Sequence, residues 1–126
     1  MWIYTKKAFL SIVKDKNSTA SRPTLLVRGR FKGDIESMFP EAKVIEGAGT
    51  DYLYRAFMDR DTVVSRVRQY MAEELDYTNF KDAVENGRER QSVYGDVWLT
   101  MLRAQDDESE KGNSNKQKGN ESMHNG

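Results

Sequence analysis

The chain has 126 residues, with 20 basic and 20 acidic side chains, one histidine and no cysteine. This length allows one domain, and two Trp, six Tyr and five Phe supply apolar material for a core. The absence of cysteine excludes disulfide frameworks and thiolate metal sites, and one histidine excludes a multi-histidine metal cage, so we expect a non-enzymatic protein without a cofactor or metal.

Three strands are predicted at the start of the chain. Residues 2–5 and 9–14 are rich in aromatic and β-branched residues, and the short polar segment between them suits a hairpin. After a polar loop, residues 25–31 alternate between two faces. Arg28 and Arg30 lie on one of these faces, opposite the expected core residues Leu25, Val27 and Phe31.

A short helix and a second strand pair follow. The helix begins at Gly33-Asp34 and ends before Pro40, which cannot continue it. Residues 43–46 and 52–59 predict two strands joined by the glycine-rich turn 47–50. In the second of these strands we expect Tyr52, Tyr54 and Met58 to face the core and Leu53, Arg55 and Phe57 to face outward.

The rest of the chain is predicted to be helical. Apolar residues recur at helical spacing over 63–75, with Asp59 or Asp61 as N-cap. Asp76 and Thr78 are the expected caps of a second helical segment. Asn86-Gly87 then interrupts the pattern before a last helix with an apolar stripe, formed by Val93, Tyr94, Val97, Trp98 and Met101.

The element order ββ(β)αββαα predicts an α+β fold with a single antiparallel sheet of four or five strands covered by helices. A circular permutation of the split βαβ, ferredoxin-like arrangement gives this order, with strands 25–31 and 52–59 as central neighbours. We assign residues 1–105 to one α+β domain. Residues 106–126 are almost wholly polar and are predicted to form a disordered tail.

Short motifs are spaced along the domain, namely Trp2-Ile3-Tyr4-Thr5, Phe9-Leu10-Ser11, Leu26-Val27-Arg28, Asp34-Ile35-Glu36, Phe39-Pro40, Asp51-Tyr52, Tyr54-Arg55-Ala56, Asp76-Tyr77, Asn79-Phe80-Lys81 and Val97-Trp98. Together they resemble a family of small uncharacterised bacterial and prophage proteins. The resemblance covers residues 1–105 and stops where the polar tail begins. It implies a bacterial or phage origin and a single compact domain, and it transfers no catalytic residue because no activity is known for the family.

The candidate binding site is the sheet face that carries Arg28, Arg30 and Arg55, with Leu53 and Phe57 beside them. Such faces bind RNA or single strands by stacking bases on aromatic rings while arginines hold phosphates. Alternatively, the arginines pair with carboxylates of the last helix or are merely solvated. The near-neutral domain, with 17 basic and 15 acidic residues, favours the alternative.

Two other groups of residues have both a structural and a functional interpretation. Tyr94 and Trp98 belong to a stripe that is core when covered and a protein interface when exposed. Glu73, Glu74 and Asp76 at the end of the 63–75 helix are expected to be structural, although Glu74 with Asp76 leaves a carboxylate enzyme as a distant alternative.

The sequence therefore predicts a small macromolecule-binding protein that contacts a protein partner or a second copy of itself. A phage-type modulator or inhibitor of a host or defence machine is one such role. The alternative is a nucleic-acid or nucleotide-binding module that uses the arginines. No segment approaches the roughly 20 apolar residues of a membrane span and no secretory signal begins the chain, so we expect a cytoplasmic protein without a membrane partner.

Overall fold

The structure, a computed structural model, describes the backbone of residues 1–47, 51–85 and 87–124, and the side chains of these residues apart from 88 and 113–124. It divides the chain into two compact units, Met1–Glu85 and Asn86–Gly126. The predicted domain 1–105 thus contains the whole first unit and the beginning of the second. Of the predicted turn 47–50, residues 48–50 lie outside the described part.

The first unit contains one five-stranded sheet. Its strands are β1 (Trp2–Tyr4), β2 (Phe9–Lys14), β3 (Thr24–Gly29), β4 (Ile45–Glu46) and β5 (Tyr54–Asp59). They follow the order β1-β2-β3-β5-β4, and every neighbouring pair is antiparallel. This confirms the predicted α+β class and single antiparallel sheet. The order β2-β3-β5-β4 is also the one that the permuted split βαβ arrangement gives, with β3 and β5 as neighbours.

Four helices accompany the strands: α1 (Asp34–Met38), α2 (Arg60–Glu73), α3 (Phe80–Ala83) and α4 (Gly87–His124). In the first unit, α1 packs on β2, β3 and β5, and α2 packs on β3 and β5. In the second unit, α4 continues past residue 106, and its side chains from 106 to 112 are exposed. The disordered tail therefore stays a prediction.

The core lies between one sheet face and the helices α1 and α2. Alternation along the strands brings Ile12, Val27 and Ala56 together as direct cross-strand neighbours, all buried. Ile35 and Phe39, from α1 and its C-terminal end, are fully buried against them. Burial of these apolar groups, at about 25 cal/mol per Å², is the main stabilising contribution to the unit.

The expected inward position of Phe31 was wrong. The strand β3 ends at Gly29, and Phe31 lies in the turn before α1 with 45% of its surface exposed. The alternation that predicts an inward side chain applies only while the strand is hydrogen-bonded to its neighbours.

Two predicted helix caps also differ from the structure. Asn79, rather than Asp76 or Thr78, caps α3, because its side-chain oxygen accepts a hydrogen bond from the Asp82 amide at 3.2 Å. Asp59 occupies the N-cap position of α2, as predicted, but its side chain makes no capping hydrogen bond. Throughout the described helices, none is both long and apolar enough to cross a membrane.

Candidate arginine–aromatic binding face

A row of directly opposed residues crosses all five strands on the sheet face opposite α1 and α2. Cross-strand partners share a face of a sheet, so these side chains point to the same side. The row places Arg28 of β3 beside Arg55 of β5, as the alternation predicts. Its members are Trp2, Ser11, Arg28, Arg55 and Ile45.

Tyr52 brings Arg30 into this cluster. The guanidinium carbon of Arg28 lies 4.6 Å from the centre of the Tyr52 ring, and that of Arg30 lies 4.2 Å from it. Both distances are within the range of cation–π attraction. Arg28 Nη2 also donates a hydrogen bond to Ser11 Oγ at 2.8 Å, and Arg30 Nη1 donates to the Asp51 carbonyl at 2.6 Å. These contacts hold the two guanidinium groups in fixed positions.

The electrostatic arrangement of the cluster is unfavourable by itself. Arg28 and Arg55 carry like charges at directly opposed positions, which destabilises an antiparallel pair. Among the described residues of the first unit, no carboxylate forms an ion pair with Arg28, Arg30 or Arg55; the ion pairs there join other residues. The Nε atoms of Arg28 and Arg55 are buried without a hydrogen-bond partner. The cluster therefore presents positive charge that the described carboxylates of the first unit do not neutralise.

Exposed apolar side chains adjoin the arginines. Phe57 follows Arg55 by two residues on the same strand, opposes Leu26 of β3 and is 52% exposed. Leu53 precedes β5 and is 55% exposed, while its carbonyl accepts a hydrogen bond from the Gly47 amide. We call the surface formed by Arg28, Arg30, Arg55, Tyr52 and Phe57 the arginine–aromatic face.

An aromatic group extends this face toward β1. The ring of Phe9 stacks on Tyr4 at 4.6 Å between centroids and meets the edge of Trp2 at 6.0 Å. Burial raises the pKa of the Tyr4 hydroxyl, Tyr52 raises it further and Arg30 lowers it. These electrostatic effects connect Tyr4 with the Tyr52–Arg30 pair.

The structure does not describe every predicted site residue in relation to the arginines. Tyr94 and Trp98 lie on α4, in the second unit. Within that unit, Arg90 Nη1 donates a hydrogen bond to the Tyr94 hydroxyl at 3.2 Å, and half of the Trp98 surface is exposed. Their role as an interface stays a prediction.

The acidic residues considered as an alternative site have structural neighbours. Asp76 lies 3.8 Å from the Lys6 ammonium, and Glu74 is the C-cap residue of α2. Asp59 lies 4.0 Å from Arg22. Over the residues that the structure describes, no group of three or more acidic or histidine side chains has the geometry of a metal site.

Sequence reasoning missed Tyr52 as a member of the site and assigned it to the core with Tyr54 and Met58. Tyr54 and Met58 do face the core. Tyr52 is buried too, but it precedes the strand, and its ring lies against guanidinium groups of the opposite face. The bend at Leu53 interrupts the alternation, and the sequence contains no clear signal of it.

Comparisons with known proteins found no match: no family model, curated protein or solved structure matches this chain. The resemblance to small bacterial and prophage proteins therefore stays a prediction.

Proposed function

We propose that this protein is a small, non-enzymatic macromolecule-binding protein whose contact region is the arginine–aromatic face, and that its partner is a protein with an acidic surface. The observation that carries the proposal is the direct opposition of Arg28 and Arg55 without a carboxylate partner among the described residues of the first unit. An anionic partner would relieve the repulsion between these two arginines. This gain in electrostatic energy would favour the bound state.

The composition of the surface favours a protein partner. Arginine and aromatic residues are enriched at protein interfaces, where lysine is depleted. The strand residues on the arginine side of the sheet include no lysine, whereas exposed Ile45 and Phe57 add apolar area. The first unit is also nearly neutral, with 14 basic and 13 acidic residues, and a nucleic-acid-binding domain usually has a larger basic excess.

The test is a comparison of variants in partner capture. The immobilised full chain is incubated with a nuclease-treated bacterial lysate, and the bound proteins are identified. We expect a protein that the wild type retains and that Arg28→Gln/Arg55→Gln loses. Arg60→Gln, an exposed arginine at the start of α2, is the matched control and should retain it.

Light scattering on the same variants tests self-association. A homodimer that Arg28→Gln/Arg55→Gln dissociates would identify a second copy as the partner. A strict monomer that captures no protein, or a partner that the double variant retains, would contradict the proposal.

Single-stranded nucleic acid is the second candidate, because exposed rings and unpaired arginines share one sheet face. Each phosphate contact to a single strand contributes about −0.7 to the slope of log affinity against log salt, so three arginines predict a slope of about −2. Fluorescence anisotropy with a labelled single strand measures this slope. Arg28→Ala/Arg30→Ala should reduce it, and the absence of binding at low salt would eliminate this candidate.

The biological process in which the protein acts is a separate proposal, and it depends on the resemblance rather than on the contact face. The resemblance to bacterial and prophage proteins favours a modulator or inhibitor that acts by occupying a surface of a host machine. A small chain with a contact face and few catalytic groups suits such a role, and the identity of the captured protein would test it.

A further inference from the structure

The helix-bearing side of the sheet contains an apolar groove of about 610 Å³ between α2 and the strands β2 and β3. It exists because the helices cover this side incompletely. The helix α1 has only five residues, and α2 packs on β3 and β5. Ile12 and Leu25 therefore form one wall of the groove, and α2 forms the other.

The α2 wall exposes apolar side chains. Val64 is 57% exposed and Met71 is 62% exposed, although both belong to a regular helix that also contributes Val63 to the core. An unbranched, flexible side chain such as Met71 adapts to different apolar ligands. The groove therefore offers an adaptable apolar surface at the edge of the core.

Among the residues that line this groove, Arg68 alone has a charged side chain. The N-terminal ammonium of Met1, which also lines the groove, donates a hydrogen bond to the Ile12 carbonyl at 2.9 Å. The Arg68 side chain is exposed, and the structure records no hydrogen bond or ion pair for it with any described residue. Arg66, two positions earlier on the same helix, instead makes a bidentate contact with Glu41, with Nη2 to Oε2 at 2.7 Å. The groove thus combines an apolar floor with the Arg68 guanidinium, which has no carboxylate partner among the described residues of the first unit.

The size of the groove distinguishes a small ligand from a protein. Nine residues line it, whereas a stable protein interface takes about 20–30 residues a side. Its volume lies within the range of about 300–1,000 Å³ that is typical of small-molecule sites, which are mostly apolar with a few charged or polar groups. The positive charge of Arg68 then favours a ligand that carries an anionic group.

We infer that this groove binds an anionic amphiphile, namely the monomeric form of a medium-chain aliphatic carboxylate. The aliphatic chain contacts Ile12, Leu25 and Met71, and the carboxylate accepts hydrogen bonds from the Arg68 guanidinium. This site is on the opposite side of the sheet from the arginine–aromatic face and does not depend on the function proposed for that face.

The test is calorimetric titration of the full chain with octanoate, decanoate and dodecanoate below their micelle-forming concentrations. We expect saturable binding to one site and a two- to fourfold lower Kd for each added methylene, about the effect of burying part or all of a methylene group. Decyltrimethylammonium has the same chain as decanoate with the opposite charge, and it should bind more weakly.

Variants separate the two parts of the site. Arg68→Gln should weaken decanoate binding about threefold to tenfold, and it should not weaken decyltrimethylammonium binding, because it removes a like charge. Met71→Gln should weaken the binding of both decanoate and decyltrimethylammonium. Both wild-type side chains are exposed, so circular dichroism should report unchanged folding. Arg60→Gln, on the same helix but outside the groove, is the control and should bind as the wild type does.

Several results would overturn the inference. These are the absence of saturable binding, equal affinity for the two charge types, or decanoate binding that neither Arg68→Gln nor Met71→Gln changes. A dimer that Met71→Gln dissociates and decanoate does not would identify a second copy as the occupant. Binding to anionic vesicles without binding of the monomeric carboxylate would identify a membrane surface instead.

Discussion

Arg28 and Arg55 are direct partners on the adjacent antiparallel strands β3 and β5. Arg28 has Ser11 as a hydrogen-bond acceptor and Tyr52 as an aromatic neighbour, whereas no hydrogen bond or ion pair is recorded for Arg55 within the described residues. Two like charges on neighbouring central strands therefore persist with little internal compensation. This local electrostatic cost is what we expect if the surface binds an anionic partner, as proposed above.

Removing one of the two charges should stabilise the fold. We expect Arg55→Gln to raise the free energy of unfolding by about 0.2–1 kcal/mol, the usual range for cross-strand pair effects. Urea unfolding at neutral pH measures the change. Arg60→Gln is the matched control and should remain within about 0.5 kcal/mol of the wild type. A loss of more than about 1 kcal/mol in Arg55→Gln would mean that Arg55 has a stabilising role.

The ring of Tyr52 should matter more than its hydroxyl. Tyr52→Leu removes the ring that faces both guanidinium groups, and cation–π contacts contribute about 0.5–1 kcal/mol each at partly exposed sites. We expect a loss of about 1–2 kcal/mol in the free energy of unfolding for Tyr52→Leu and less than about 0.5 kcal/mol for Tyr52→Phe. Equal losses in the two variants would argue that the hydroxyl, rather than the ring, is responsible.

Gly29 allows α1 to approach β3 closely. A Cβ atom at this position would lie 3.4 Å from Ile35 Cγ1 and 3.7 Å from Leu10 Cδ2, both fully buried. A methyl group fits there with slight adjustment, but a branched side chain does not. Gly29→Val should therefore lower the free energy of unfolding by about 1–3 kcal/mol, and Gly29→Ala by less. Thermal unfolding measures both, and a neutral Gly29→Val would contradict the close packing.

The Arg66–Glu41 pair should contribute to stability in a pH-dependent manner. The hydrogen bonds from Arg66 lower the pKa of Glu41 below its ordinary value of 4.5. A carboxylate whose folded-state pKa is lowered stabilises the protein fully above its unfolded-state pKa, and this contribution is lost as the pH falls through the folded-state pKa.

We therefore expect Glu41→Gln to lower the melting temperature at pH 7, and this difference from the wild type to shrink as the pH falls below about 4.5. Thermal melts between pH 7 and pH 3 measure it. Glu46→Gln removes an exposed carboxylate without a recorded ion pair among the described residues, so it controls for net charge. A pH-independent difference for Glu41→Gln would contradict the prediction.

Patterns with a short period in the sequence predicted the elements well. The predicted segments 2–5, 9–14 and 25–31 contain β1, β2 and β3 in whole or nearly so, and the 63–75 pattern overlaps α2. These predictions succeeded because alternation and helical spacing are local properties of the chain. They failed at segment ends, where Phe31 and Tyr52 lie beyond the paired residues and no longer follow the alternation.

By itself, therefore, the sequence determined the α+β class, the principal strands and helices, and the position of Arg28 and Arg55 on the same face of the sheet. Tertiary structure alone decided that these arginines are direct partners, that Tyr52 lies against Arg28 and Arg30, and that α2 leaves a groove beside Arg68. The physical reason is that register, ring contacts and helix coverage depend on residues far apart in the chain. Their relative positions follow from the packing of the whole unit, and no periodicity along the sequence encodes them.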